Sequence, residues 1–275
     1  MTGGMPEALI AFALAIAALL GWMFRPRKAR PRYVPPEGWR ATLRTSVPQA
    51  RLVPADLQAL YERQVERFLR EKRFVGCNGL VVDDEMRIAI AGLACLLVLR
   101  PQAGVFPLVH DVLIYPDRFF VTYGEPDELG LVSDDPVEQL GESWEGERVI
   151  LSWADIDAAL HGDEVNVVAH EFAHQLDDET PETEGAPALR DYTRWSEVMQ
   201  REFKRLQRHR RPPVLDPYGA ESPGEFFGVV TEAFFQRGVE LRRHHAELYD
   251  LLRDYYRLDP AQQRLWTAVP TGEDR

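Results

Sequence analysis

Close to its start the chain carries an apolar run, "ALIAFALAIAALLGWMF" (Ala8 to Phe24), which contains no charge. As a helix it would reach about 26 Å, at the short end of what spans a bilayer. "RPRKARPR" follows at once, with Arg25, Arg27, Lys28, Arg30 and Arg32. Positive charge on the downstream side predicts a single-pass transmembrane anchor, with the N-terminus outside and the rest at the cytoplasmic face of the inner membrane. A cleaved signal peptide would carry its charges before the apolar stretch instead. Over 25–54, Pro and Arg leave no clean periodicity, which predicts a tether lying against acidic lipid head groups.

Helical periodicity sets in near "PADLQALYERQVERFLREKRF". There Leu57, Leu60, Tyr61, Val65, Phe68 and Leu69 recur at helical spacing, with Pro54 and Asp56 as start signals. "LVVDD" reads as a short strand. Asp83 or Asp84 then caps a helix through "EMRIAIAGLACLLVLR", whose apolar core is too short for a second span. "HDVLIYPDRFFVTY" and "RVILSWADI" place β-branched and aromatic residues between Gly, Pro and Asp clusters, the pattern of short strands. From Gly162 helices dominate, at about 163–178, 187–208, 223–237, 240–256 and 259–267. The order predicts a mainly helical α+β fold with a small sheet. Its layout is an anchor over 1–24, a tether over 25–54, one globular domain over 55–268 and a flexible tail over 269–275.

Composition narrows the classes. With 45% hydrophobic and 28% charged residues, the chain is globular. A formal net charge of −12 argues against direct nucleic-acid binding, which needs concentrated Lys and Arg. Cys77 and Cys95 alone make neither a disulfide framework nor a cysteine-rich metal site.

The candidate chemistry lies in "VNVVAHEFAHQLDD", residues 165–178. Projected at 100° per residue, Val165, Val168, Ala169, Phe172, Ala173 and Leu176 form one apolar stripe. His170 and His174 fall on roughly the opposite side, one turn apart and within about 40° of each other. Two imidazoles at that spacing can converge on one cation. Glu171 is rotated about 100° from His170 and 60° from His174. It can touch a water on the metal but is poorly placed as a third ligand. This is the H-E-x-x-H arrangement of zinc-dependent peptidases, in which the metal activates water and the carboxylate takes its proton. Asp177 follows His174 by three and is a candidate acceptor for an imidazole N–H. His161, Gly162 and Asp163 are candidate caps for the motif helix.

A catalytic zinc keeps three protein ligands and an open position, so a third ligand is needed. "YGAESPGEFFGVVTEAFF", residues 218–235, offers Glu225 and Glu232 on one side of a helix. They lie within about 20° of each other but roughly 10 Å apart along the axis, so only one can ligate. Spacing alone does not choose. "SWEGERVILSW", just upstream of the motif, is a candidate exposed strand edge to which an extended peptide could add.

Taken together, "EKRFVGCNGLVVDDEMRIAIAGLACLLVL", "DVLIYPDRF", "GESWEGERVILSWADI", "AHEFAHQLD" and "YGAESPGEFFGVVTEAFF" resemble the Mlc titration factor A family, glucose-regulated zinc peptidases of bacteria. The catalytic core of that family is similar to that of anthrax lethal factor. In both, a Tyr stands seven residues before the third zinc ligand, a Glu that begins an aromatic-rich helix. The resemblance therefore implies a zincin-like domain holding Zn2+ through His170, His174 and Glu225. Glu171 is then the general base and Tyr218 the donor to the oxyanion, while Glu232 is left to support the site. The activity it implies is peptide-bond hydrolysis, with an aminopeptidase as one form, on a peptide or protein substrate. The rival expectation is a regulatory protein that uses the same scaffold to sequester a partner such as a transcriptional repressor.

Overall fold

A computed structural model describes residues 33–100, 104–117, 148–180, 183–208 and 213–262. Its centre is a three-stranded parallel sheet in the order β1 (Arg73–Gly76), β2 (Asp111–Tyr115), β3 (Arg148–Ser152). Arg73 pairs with Asp111, and Asp111 with Arg148. Every residue of the middle strand β2 is buried, as expected of a parallel strand covered on both faces. Across the sheet margin the Arg73 Nε donates to Asp111 Oδ1 at 2.6 Å. The first strand lies at residues 73–76, earlier than the "LVVDD" that β-propensity favours. Val81 within that stretch is 83% exposed and leads into a helix.

Helices surround this sheet. In chain order they are α1 (Trp39–Ser46), α2 (Gln58–Glu71), α3 (Asp84–Cys95), α4 (Trp153–Leu160), α5 (Val167–Asp178), α6 (Thr193–Arg208), α7 (Pro223–Gln236), α8 (Gly238–His244) and α9 (Ala246–Tyr256). The mainly helical architecture with a small sheet therefore holds. α3 is capped by Asp83, whose side chain accepts from the Met86 N–H at 2.8 Å. Nearly all of α3 is buried, since it runs through the centre of the domain.

One part of the expected fold is corrected. Among the described residues, no helix is long and apolar enough to cross a membrane. The longest of them, α6, has 16 residues. It rises about 24 Å, short of a hydrocarbon core about 30 Å thick. The run over 8–24 on which the anchor was placed lies outside the described residues. The expected transmembrane helix before the domain, and the single-pass location at the inner membrane that depends on it, are therefore not supported.

The structure also differs over 39–52, which the Pro- and Arg-rich composition assigns to a tether. These residues form α1 and a 3-10 turn (Pro48–Leu52) that pack on α3. Trp39, Leu43, Val47 and Ala50, spaced by four, four and three, are all buried. The approach is close because residue 92 is a glycine. A Cβ there would stand 2.6 Å from Leu43 Cδ1 and 3.0 Å from Val47 Cγ2.

Two more boundaries matter for the site. "SWADIDAAL" is not an extension of the strand. Ser152 accepts from the Asp155 N–H at 3.3 Å and starts α4 directly at the end of β3. The motif helix begins later than its apolar pattern suggests, at Val167. Asn166 caps it by accepting from the Ala169 N–H at 3.0 Å, in place of His161, Gly162 or Asp163. Val165 therefore precedes the helix and is 46% exposed instead of lying in the apolar stripe.

If α1 is an integral part of the domain, Leu43→Ala should cost about 2–5 kcal/mol, as for other buried leucines. Urea unfolding monitored by circular dichroism would show it as a lowered midpoint. A change within error would mean that the segment does not contribute to the fold.

Candidate metal centre

The centre is built where α5 crosses α7. On α5 the residues Val168, Ala169, Phe172, Ala173 and Leu176 are buried. Phe172 is clamped by Phe106 at 4.6 Å and Phe68 at 5.5 Å between ring centroids. This clamp fixes the rotation of α5 and directs His170, Glu171 and His174 toward its partly exposed side. The two imidazole rings lie 4.8 Å apart, inclined at 71°.

From the other side comes α7. Ser222 caps it, its Oγ accepting from the Glu225 N–H at 3.1 Å, and Pro223 occupies the first turn. Phe226, Phe227, Val230, Ala233 and Phe234 are buried, as the spacing predicts. Between them sits Gly228, directly beneath the His170 ring. A Cβ at this position would stand 2.7 Å from Cε1, 2.8 Å from Nδ1 and 2.9 Å from Nε2 of that ring. No side chain fits there, so the glycine admits the imidazole into the helix–helix contact.

Glu225 and Glu232 occupy the two sides of the same ring. The Glu225 Oε2 lies 3.1 Å from His170 Nε2 and 3.6 Å from His174 Nε2. Glu232 Oε1 lies 2.5 Å from His170 Nδ1, while its Oε2 accepts from the Asn166 N–H at 2.9 Å. A carboxylate can only accept, so Nδ1 is the donor, and the ring is oriented with Nε2 toward Glu225 and His174. Glu232 thus links the cap of α5 to the ring that α5 presents. Asp177 does not reach an imidazole N–H; its carboxylate accepts from the Gly185 and Ala186 N–H groups at 2.8 and 2.9 Å and ties that loop to α5.

The charges follow from this packing. Burial alone would favour neutral His170, but the hydrogen bonds to Glu225 and Glu232 outweigh it and raise its pKa to about 10. With both ring nitrogens facing carboxylates, the ring must carry two hydrogens or yield its Nε2 lone pair to a cation. Burial would raise the Glu225 carboxyl, yet the two imidazoles hold it well below the usual carboxylate range. Burial pushes the Glu171 carboxyl up, with His170 and His174 offsetting part of the rise. Tyr218 lies in a 3-10 turn (Pro217–Ala220), its ring 6.2 Å from that of His170. Burial and then the Glu225 charge push its phenol up to about 12.

These donors suit a divalent ion. The ligand atoms of His170, His174 and Glu225 all lie within 4.8 Å of one another, the one such group of three among the described residues. Ligands about 2.0–2.1 Å from a tetrahedral ion are separated by roughly 3.3 Å, and the two Glu225 distances fall on either side of that value.

The glucose-regulated metallo-peptidase M90 family model matches residues 22–257. The chain belongs to this family. Among its relatives are the Mlc titration factor A proteins of Pectobacterium atrosepticum and Salmonella gallinarum. The first is 30% identical over 239 residues, covering 84% of this chain and 89% of that protein. The second is 31% identical over 245 residues, covering 86% and 92%. An uncharacterized Synechocystis protein is 38% identical over 262 residues, covering 92% of this chain and 94% of its own length. Membership of a metallopeptidase family implies a metal, and the His/Glu cluster is where this chain offers one a place.

Hydrophobic periodicity does not single out Asn166 or Gly228. For Gly228 the signal was present, since an isolated glycine inside "EFFGVVTE" marks a close approach. Gly228→Ala should displace the His170 ring and weaken divalent-metal binding by roughly 10–100-fold. Zinc titration alongside far-UV circular dichroism separates this from unfolding. Unchanged affinity would show that the ring position does not matter.

Proposed function

We propose that the chain is a zinc-dependent peptidase of the zincin type. The observation that carries the reading is the Glu225 Oε2 standing 3.1 and 3.6 Å from the Nε2 atoms of two imidazoles one helical turn apart. His170, His174 and Glu225 would hold the metal. When bound, zinc polarises a carbonyl and lowers the pKa of water. Glu171 feels the charges of His170, His174 and Glu225, so its carboxylate lies near the space they share. It takes a proton from the attacking water and delivers it to the departing amine. Its upward-shifted pKa suits a base that must also release the proton. Tyr218 remains protonated at neutral pH and donates a hydrogen bond to the oxyanion. β3, terminal in the order of described strands and running directly into α4, offers an edge to which an extended peptide can add.

A second, compatible reading is regulatory: the chain binds a transcriptional regulator. It is favoured by the name of the relatives, Mlc titration factor A. In this reading binding does not need the Glu171 carboxylate, whereas hydrolysis does.

Glu171→Gln should lower kcat on chromogenic peptides by roughly 10²–10⁴-fold, with zinc still bound at one ion per chain by elemental analysis. Full turnover in that variant would defeat the mechanism, and regulator capture that survives the substitution would support the second role. Tyr218→Phe should reduce kcat by roughly 10²–10³-fold while zinc affinity and KM change little. A loss confined to KM would instead make Tyr218 a binding residue.

A further inference from the structure

Few large apolar side chains are exposed on the described surface, and two of them border a single cavity. Val165 is 46% exposed and Tyr218 47% exposed, and both line a space of about 330 Å³ beside the metal cluster. That volume lies in the range of small-ligand pockets. The cavity shares two walls with the centre. Tyr218 packs near the His170 ring, and Glu232 also receives the His170 Nδ1 hydrogen. Its inner surface is formed by the apolar side chains of Val214, Leu215, Val229 and Ala233.

The charged groups around it are already engaged. Arg237 is the cation of the lining, and its guanidinium donates to Glu240 and to the Val214 and Pro213 carbonyls, and pairs with Glu164 at 3.1 Å. Both Glu232 oxygens are taken by His170 and Asn166. Asp216 accepts from the Tyr218 N–H. Carboxylates at 164, 216 and 232 outnumber the single arginine, so an acidic visitor meets repulsion and no available donor. An apolar one meets aliphatic walls and covers the exposed faces of Val165 and Tyr218.

We propose that this cavity is the specificity pocket of the centre, receiving an aliphatic or aromatic side chain that flanks the scissile bond of a peptide substrate. The inference rests on the peptidase reading for the word scissile, but the binding preference can be measured without turnover.

Two measurements test it. In the first, zinc-loaded Glu171→Gln protein is titrated with fluorescein-labelled octapeptides that differ only at one central residue, Leu, Ala, Lys or Glu, and anisotropy reports the affinity. The expected order places Leu at least tenfold tighter than Glu, with Ala between them. Adding Ala233→Leu, which fills the cavity, or Val165→Glu at its exposed rim, should remove the advantage of Leu. Equal affinities, a preference for Lys, or a Leu preference unaltered by both substitutions would overturn the proposal. In the second, wild-type protein and the Ala233→Leu and Val165→Glu single variants cleave a defined peptide mixture. The ratio of kcat/KM for Leu- over Ala-flanked bonds should fall by roughly 10–200-fold in the variants. Cleavage whose preference is the same in all three proteins would also overturn it. Should the Leu preference in binding hold while wild type cuts no peptide, the peptidase reading fails and the pocket stands.

Discussion

Everything at this centre depends on one contact, the seating of the His170 ring against Gly228 between α5 and α7. The proposed ligands come from segments 55 residues apart, as the spacing of the His170–Glu225 contact gives. Donor atoms on two separate helices must nevertheless meet within about 3–4 Å to share an ion. Helices commonly pack with axes 8–10 Å apart, a distance set by the side chains between them. With a glycine at the crossing, the imidazole itself becomes the spacer. Glu232 then grips that ring from behind while bonding the Asn166 cap, so the start of α5, its ligand and the last turns of α7 form one unit.

Such a site opposes the general drive for stability. Three carboxylates and two imidazoles are drawn together in partly buried surroundings, and each resists losing its water. Without metal the cluster lowers this cost by keeping a proton on His170, whose raised pKa records the pull of Glu225 and Glu232. In the proposed centre a divalent cation would take the place of that proton, so metal and proton would compete for one nitrogen lone pair. The mechanical support comes from elsewhere. The Phe68, Phe106 and Phe172 cluster lies on the face of α5 opposite the histidines and sets the helix rotation without touching the chemistry.

Much of this was legible in the chain because two periodicities are strong. The stripe containing Phe172 and Leu176 and the one containing Phe226, Val230 and Phe234 each predict a helix and a buried face. The residues left over are then the histidines and glutamates. The family resemblance, in addition, picks Glu225 over Glu232, a choice that azimuth cannot make. The structure shows why spacing was silent. Both glutamates do reach His170, one at each ring nitrogen, so their similar azimuths reflect a shared target and different tasks. What could not be read depends on contacts distant in sequence. Strand direction is invisible in "RFVG", since nothing local says that it pairs in parallel with residues 111–114. The four-residue spacing of Trp39, Leu43 and Val47 was present, but Pro and Arg around it obscured a helix held by its fit to Gly92. The expected 240–256 helix is two, because His245 departs from helical backbone and turns inward to bond Glu202 at 2.8 Å.

The economy of α7 explains why so short a segment governs the centre. Its glycine side meets α5, its glutamates reach the two nitrogens of the His170 ring, Val229 and Ala233 line the neighbouring cavity, and its phenylalanines enter the core. These faces are separated by rotations of roughly 60–100° on one rigid rod. A change in any of them must therefore move the others. A core substitution at Phe226 or Phe234 would reach Glu225 and Glu232 by turning the rod. Loops can vary separately, whereas this helix couples ligand geometry, cavity shape and domain stability. The arrangement ties the position of the His/Glu cluster to the shape of the cavity that Val165 and Tyr218 border.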